Sequence, residues 1–514
     1  MSRLSHIITS LYARIEVVEM VKSPSTNRDS YWLVSANLFV AILGVVSQYL
    51  ILTNLDSIEY GYWVLLLDAT LSVGILVDFG IPDAMIRLWN GAREDVTRVV
   101  RRGLLAQSLL GMAILAISIP VVSMIDIEGI SPISILLMVI GSILLYQLGS
   151  MRIGLRMLGR ADEESVAVVF DRVLFIASIL LALKVGPNIN NLAIAFVCAS
   201  FLSFSYTLWR YQKNRPKYAL TEDNQHVENF SEVTTLIIAA LPFAISLFIF
   251  PLFGRIDKFI IAWSEGVIQV AYFNIPWLVI LSGLSVPKSI RQASLPDLAS
   301  KRHDSSLKSK VVGDAWPISS LLIWIGVPSS MLISELVFSN VFPARLVSPG
   351  GEEFVGIRLL ICLLPAWVWS MVGALELESL KLEQSSIKYS SIIGISLLIN
   401  LFSGLFFIPI LGILGAAISS MLGFISLFII AFFSGPLISH HQTLFHKKCI
   451  IGAIYTIILF SIAIYWDSSM IKQSTYRAIV LVMIITSPIT SLDFSEIRRR
   501  LSRTAYDIPE DEVV

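Results

Sequence analysis

Long apolar runs alternate with short polar gaps along almost the whole chain. They occupy residues 31–53, 63–86, 103–125, 133–151, 166–185, 191–209, 236–263, 267–287, 316–336, 356–375, 389–410, 412–433, 449–466 and 476–493. A helix needs roughly 20 mainly apolar residues to cross a bilayer, so the pattern predicts an all-α integral membrane protein of about 14 transmembrane helices.

The charges sharpen this picture. Nearly all of the 38 Lys and Arg fall in alternate gaps and at the two ends. One such group holds Arg87, Arg93, Arg98, Arg101 and Arg102; the next holds Arg152, Arg156, Arg160 and Arg172, and a third Arg210, Lys213, Arg215 and Lys217. Basic residues in short loops stay on the cytoplasmic side, which predicts a multi-pass protein of the cytoplasmic membrane with both termini inside. A composition of 55% hydrophobic and 15% charged residues, with mean hydropathy +0.76, leaves little material for a soluble domain. Net charge is zero, so no nucleic-acid partner is expected. Cys198, Cys362 and Cys449 sit in or beside apolar runs without metal-ligand spacing and read as small core residues.

Residues 1–30 form a cytoplasmic segment. Charges interrupt their apolar positions, so they are not read as a signal peptide, and the helical spacing of Leu4, Ile7, Ile8, Leu11, Ile15 and Val18 suits an amphipathic interfacial helix. The polar stretch 210–235 reads as a cytoplasmic linker between six runs at 31–209 and six at 236–433. Residues 449–493 hold two further helices and 494–514 a cytoplasmic tail. The halves echo one another: "EYGYW" at 59–63 with "QVAYF" at 269–273, and "IPDAMIR" at 81–87 with "VPKSIR" at 286–291. An even number of helices in each half makes the repeats parallel, with substrate expected between them.

The stretch "EYGYWVLLLDATLSVGILVDFGIPDAMIR" at 59–87, "RIDKFIIAW" at 255–263 and "NLFSGLFFIPILGILGAAISS" at 400–420 resemble, in order and spacing, signature segments of the polysaccharide transporter flippases. These belong to the multidrug/oligosaccharidyl-lipid/polysaccharide exporter superfamily. The resemblance spans roughly 30–490 and implies two six-helix bundles around a central cavity, with two helices appended. It also implies movement of a lipid-linked oligosaccharide from the inner to the outer leaflet, without enzymatic activity or cofactor, alongside glycan-assembly enzymes.

An anionic, hydrated headgroup needs a wet cationic cavity, and ionisable groups inside spans face such a cavity or each other because exposure to lipid is costly. Arg255, Asp257 and Lys258 are the first candidates. If the seventh helix continues to Trp263, Arg255 and Lys258 share an anionic ligand, with Asp257 fixing or partly neutralising them. If it ends at Phe253, all three lie in a solvated loop. The apolar "FIIAW" that follows favours the helix. Arg172, about two turns into the fifth run beside Asp171, is a candidate first contact for phosphate. Arg87 is either a substrate contact at the entrance or the i, i+4 partner of Asp83. Asp68 and Asp78, ten residues apart in the second run, are candidates for ion coupling or for pairing with an arginine. Lys288 and Arg291 read as topology determinants.

Other chemistry is not expected. His440, His441 and His446 lack carboxylate or Cys support, so no metal site is predicted, and without a Gly-Lys dipeptide the chain has no phosphate-cradling ATPase loop. Pro242, Pro251, Pro276, Pro287, Pro317 and Pro328 concentrate kinks in the second half. The small-residue series Gly415, Ser419 and Gly423 predicts a close helix approach. Two other function classes compete: a multidrug or cation exporter of the same superfamily, which predicts about twelve helices and an acidic cavity, and a membrane-bound polysaccharide polymerase or glycosyltransferase, which predicts a large catalytic loop.

Overall fold

The computed structural model describes residues 25–88, 93–127, 129–215, 230–288, 290–291, 294, 305–340, 342–343, 355–382, 386–434 and 442–464. The first 24 residues, most of the linker, the fourteenth apolar run with the tail, and His440 and His441 lie outside them. Thirteen of the fourteen apolar runs correspond to described helices. In chain order these are α1 (Ser25–Asn54), α2 (Ser57–Asp78), α3 (Ile81–Leu88), α4 (Arg93–Ser123), α5 (Pro132–Met157), α6 (Ala161–Val185) and α7 (Ile189–Asn214). Then follow α8 (Phe230–Ser264), α9 (Val267–Gly283), α10 (Ser305–Asn340), α11 (Val355–Val372), α12 (Ala374–Leu382), α13 (Ser386–Leu411), α14 (Ile413–Ser434) and α15 (Gln442–Ile464). Among the described residues 12 spans are long and apolar enough to cross a membrane. α8, at 35 residues, is also long enough.

Two runs read as single helices are broken. The second is split after Asp78, where Phe79 (φ 45°) and Gly80 (φ 70°) turn left-handed and α3 restarts at Ile81. The tenth ends at Val372 and restarts beyond Gly373 as α12. The fifth begins earlier than its apolar run because Asp162, Glu163 and Glu164 occupy its first turn, where a helix favours negative charge. Arg160 lies 2.8 Å from Glu163, Arg156 lies 2.5 Å from Glu164, and Arg210 also reaches Glu163, which joins α5, α6 and α7 at that end.

Helix packing repeats along the chain with an offset of six spans. α1 packs on α6 as α8 packs on α13; α2 on α5 as α9 on α11; α4 on α5 as α10 on α11; α5 on α7 as α11 on α14; α6 on α7 as α13 on α14. The two sets meet where α2 lies against α9 and where α8 lies against α2, α3 and α4. α8 crosses between them. Its first turns bury Val233, Leu236 and Ala240 with Ile81, Met85 and Val100 of the first half, and Glu232 pairs with Arg102. Its last turns pack on α13 and α14. The helix runs unbroken through Pro242 and Pro251.

The small-residue series on α14 serves this packing. A side chain on Gly423 would meet Asn400 and Phe253, and one on Gly415 would meet the Phe407 backbone, so both glycines permit close approach within the second half. α15 docks on α11, where Trp369 donates to Thr456 Oγ1 at 2.9 Å and Arg358 to the Ala463 carbonyl at 2.8 Å.

Candidate functional site

Between the halves lies a cavity of about 560 Å³ with walls from α1, α2, α6, α7, α8 and α9. Most of the wall is apolar, which makes its charged and amide residues conspicuous: Gln48, Asp68, Asp171, Arg172, Arg255, Lys258 and Asn274 all face it. Val45 on α1 and Leu281 on α9 line the cavity and are also exposed.

α8 continues through Trp263 to Ser264, which places Arg255, Asp257 and Lys258 within the helix, about 9 to 14 Å of helical rise from its end. Arg255 and Lys258, one turn apart, face α2. Lys258 Nζ donates to Asp68 Oδ2 at 2.8 Å, Arg255 Nε lies 3.4 Å from Asp68 Oδ1, and Arg255 Nη1 donates to Ser72 Oγ at 2.9 Å. One carboxylate of the first half therefore meets two cations of the second. Gly254 lets α8 lie directly against α9, since a Cβ there would overlap the indole of Trp277 at 1.9 Å. Trp277, Phe273, Phe253 and Phe424 form an aromatic layer beneath the ion cluster.

Asp257 makes its direct hydrogen bonds away from its basic neighbours and acts on Lys258 only through space. It follows Arg255 by two residues, about 200° around the helix, and so points away from them into the second half. There its carboxylate is fully buried and accepts from Asn400 Nδ2 (3.2 and 3.1 Å), Ser419 Oγ (2.7 Å) and Ser420 Oγ. Four donations to one carboxylate offset its desolvation and clamp α8 to α13 and α14. Asn400 Oδ1 beside it is buried without a hydrogen-bond partner.

The remaining candidates separate. Asp68 lines the cavity, whereas Asp78 ends α2 against α5, where a Cβ on Gly149 would lie 3.6 Å from its Oδ1. The two aspartates do not form one polar face, because the cavity wall follows only the middle of α2. Arg172 and Asp171 both line the cavity from α6, and Asp171 also lies 3.4 Å from Arg152. Arg87 lies in α3 with its side chain outside the described residues.

Sequence reasoning did not single out three groups that define the site: Ser72, the Asn274–Tyr60 pair and the Asn400–Ser419–Ser420 cage. Asn274 donates to Tyr60 Oη at 2.8 Å across the halves, and a Cβ on Gly61 would lie 2.3 Å from the Val267 carbonyl, so α2 and α9 are sealed together at these ends. Isolated Asn residues within apolar runs were the available signal, since a buried amide demands a partner.

No curated protein matches the chain. Among solved structures it is similar to an inward-facing multidrug resistance MATE family transporter of the MOP superfamily. Identity is 15%, coverage 80% of this chain and 99% of the other, and the TM-score 0.61. It is similar to the lipid II flippase MurJ in an inward closed conformation (15% identity, 91% and 98% covered, TM-score 0.58). A third similar structure is a MOP superfamily transporter from Pyrococcus furiosus described as having a binding pocket of reverse polarity (13% identity, 87% and 98% covered, TM-score 0.58). These likenesses establish the fold. Residues 27–298, just over half of the sequence, match the family described as "Polysaccharide biosynthesis protein", and the chain belongs to that family.

Proposed function

We propose that the protein is a flippase that carries a polyprenyl-(pyro)phosphate-linked oligosaccharide from the inner to the outer leaflet of the cytoplasmic membrane. The observation that carries this reading is the pair Arg255 and Lys258, held within a membrane-spanning helix and facing a cavity shared by both halves. Charges at that depth are costly without a partner of opposite sign, and Asp68 alone touches both cations, Asp257 being turned into the second half. A phosphorylated headgroup supplies a further anionic partner. Arg172, on the same cavity wall, is placed to take part, and Arg87 is proposed as a contact at the entrance. The exposed lining residues Val45 and Leu281 suit a ligand whose lipid tail stays in the bilayer while its head enters.

A multidrug exporter shares the fold. Its cationic cargo is disfavoured by a wall bearing Arg172, Arg255 and Lys258 against Asp68 and the Arg152-paired Asp171. For coupling, the proposed carboxylate is Asp257 rather than Asp78. It is enclosed, sits beside the unpartnered Asn400 Oδ1, and shares a helix with the cation pair, so uptake of a proton or Na⁺ there would be felt at the site.

The test is complementation of surface glycan export at matched protein levels. Arg255→Gln and Lys258→Gln should each cost about 10- to 100-fold in apparent affinity, the range for one hydrogen bond to a charged group, and the double variant more. Arg255→Glu should be the most damaging single change. Full export by the double Gln variant would remove the reading.

A further inference from the structure

We propose that Asp68 is a displaceable counter-anion, which ties the two halves through Arg255 and Lys258 and yields those cations only to a diphosphate, so that it sets the charge threshold of the site. This rests on the reading of Arg255 and Lys258 as phosphate ligands.

Asp68 belongs to α2 and its two partners to α8, so the contact spans the halves. Each carboxylate oxygen serves one cation, Oδ2 with Lys258 and Oδ1 with Arg255. The cluster is reachable: the side chains of Asp68, Arg255 and Lys258 keep 14%, 15% and 5% of their surface exposed, and all three line the cavity. A ligand can therefore approach the cations while Asp68 swings into the same space.

The local arrangement allows that exchange. Ser72, one turn along α2 from Asp68, accepts from Arg255 Nη1, so the guanidinium keeps a neutral partner when the carboxylate leaves. Asp257, the other nearby carboxylate, is committed to Asn400, Ser419 and Ser420 and does not compete. A monophosphate must displace a tethered carboxylate, and the tether gives Asp68 a high effective concentration. A diphosphate brings more charge and two separate sets of oxygens, one for each cation. Its binding removes an α2–α8 contact that holds the halves together, and only a ligand with this differential interaction shifts the equilibrium between arrangements.

Two measurements on the full chain in lipid nanodiscs decide the matter. The first is calorimetric binding of inorganic pyrophosphate and of methyl phosphate. The second is the distance between spin labels at positions 181 and 410, where Leu181 on α6 and Ile410 on α13 are exposed, in a background with Cys198, Cys362 and Cys449 replaced by alanine. The wild type should bind pyrophosphate about tenfold or more tightly than methyl phosphate, with a distance change on pyrophosphate addition. Asp68→Asn should tighten methyl phosphate by about tenfold, bring the two affinities together and show the altered distance without ligand. Asp68→Glu should restore discrimination and the unliganded distance. An Asp68→Asn protein that keeps the wild-type affinity ratio and distance overturns the proposal. If the Arg255→Gln, Lys258→Gln double variant binds pyrophosphate as the wild type does, the phosphate reading of these cations falls and the threshold with it. The distance in Asp68→Asn then still decides whether Asp68 ties the halves.

Discussion

Gly61 at the start of α2 lies against Val267 at the start of α9, so closely that a Cβ would sit 2.3 Å from the Val267 carbonyl oxygen and 2.8 Å from its Cγ1. The "EYGYW" segment thus meets α9 at Val267 and Asn274, the residues flanking the "QVAYF" segment that echoes it. Tyr60, the residue before Gly61, accepts a hydrogen bond from Asn274, about two turns beyond Val267, and closes the same seam between the halves. Backbone cannot yield to a side chain as a flexible neighbour can, so this contact requires glycine. Gly61→Val should force α2 and α9 apart and open the cavity at that end. A cysteine at Gln48, on the cavity wall, should then become several-fold more reactive to a membrane-impermeant maleimide added outside, while export falls. Unchanged reactivity would show that the seam is not the closure.

The Asp257 cage predicts a graded stability loss. Asp257→Ala leaves the Asn400 amide and the Ser420 hydroxyl buried without this acceptor, while Ser419 keeps the Ala416 carbonyl at 3.0 Å, and should destabilise the protein by about 2 to 6 kcal/mol. Asp257→Asn keeps one acceptor oxygen and should lose less stability while still abolishing response to the coupling ion. Thermal unfolding in detergent with and without Na⁺, and across pH, separates the two effects. A stable Asp257→Asn protein with undiminished export would exclude Asp257 from coupling.

A second buried pair fixes α15 to the second half. Lys448 Nζ donates to Glu376 Oε1 at 2.6 Å and lies 5.1 Å from the Trp316 ring, and both charged side chains are almost wholly buried. Lys448→Met strands Glu376 and should cost about 3 to 5 kcal/mol, whereas adding Glu376→Leu should return most of that loss, because an apolar pair needs no desolvation. The four proteins of this double-mutant cycle, compared by chemical unfolding, give the coupling energy directly. Equal cost in the single and double variants would contradict the assignment.

Orientation is open to a labelling test. Basic-residue asymmetry places the 210–235 linker inside and the α4–α5 connection outside. A cysteine at Gln225 should be labelled only after membrane permeabilisation, and one at Met124, which is 85% exposed, from the outside directly. The reverse pattern would invert the direction of transport argued above.

The sequence alone determined the helices and the presence of buried charge. Spans follow from a one-dimensional requirement, enough apolar residues to cross hydrocarbon, and the cost of placing Arg255, Asp257 and Lys258 in such a span marks them wherever their partners lie. Their pairing was not legible. Asp68 is 187 and 190 positions away from Arg255 and Lys258, and the Asn400, Ser419 and Ser420 donors lie still elsewhere in the chain, so only the packing of α8 between α2 on one side and α13 and α14 on the other assigns each charge its partner. Helical geometry then separates Asp257 from the residues beside it in sequence. The breaks at Phe79 and Gly373 were hidden for a related reason: an apolar run reads the same whether the helix inside it is continuous or restarts, and only backbone dihedrals and tertiary contacts distinguish the two.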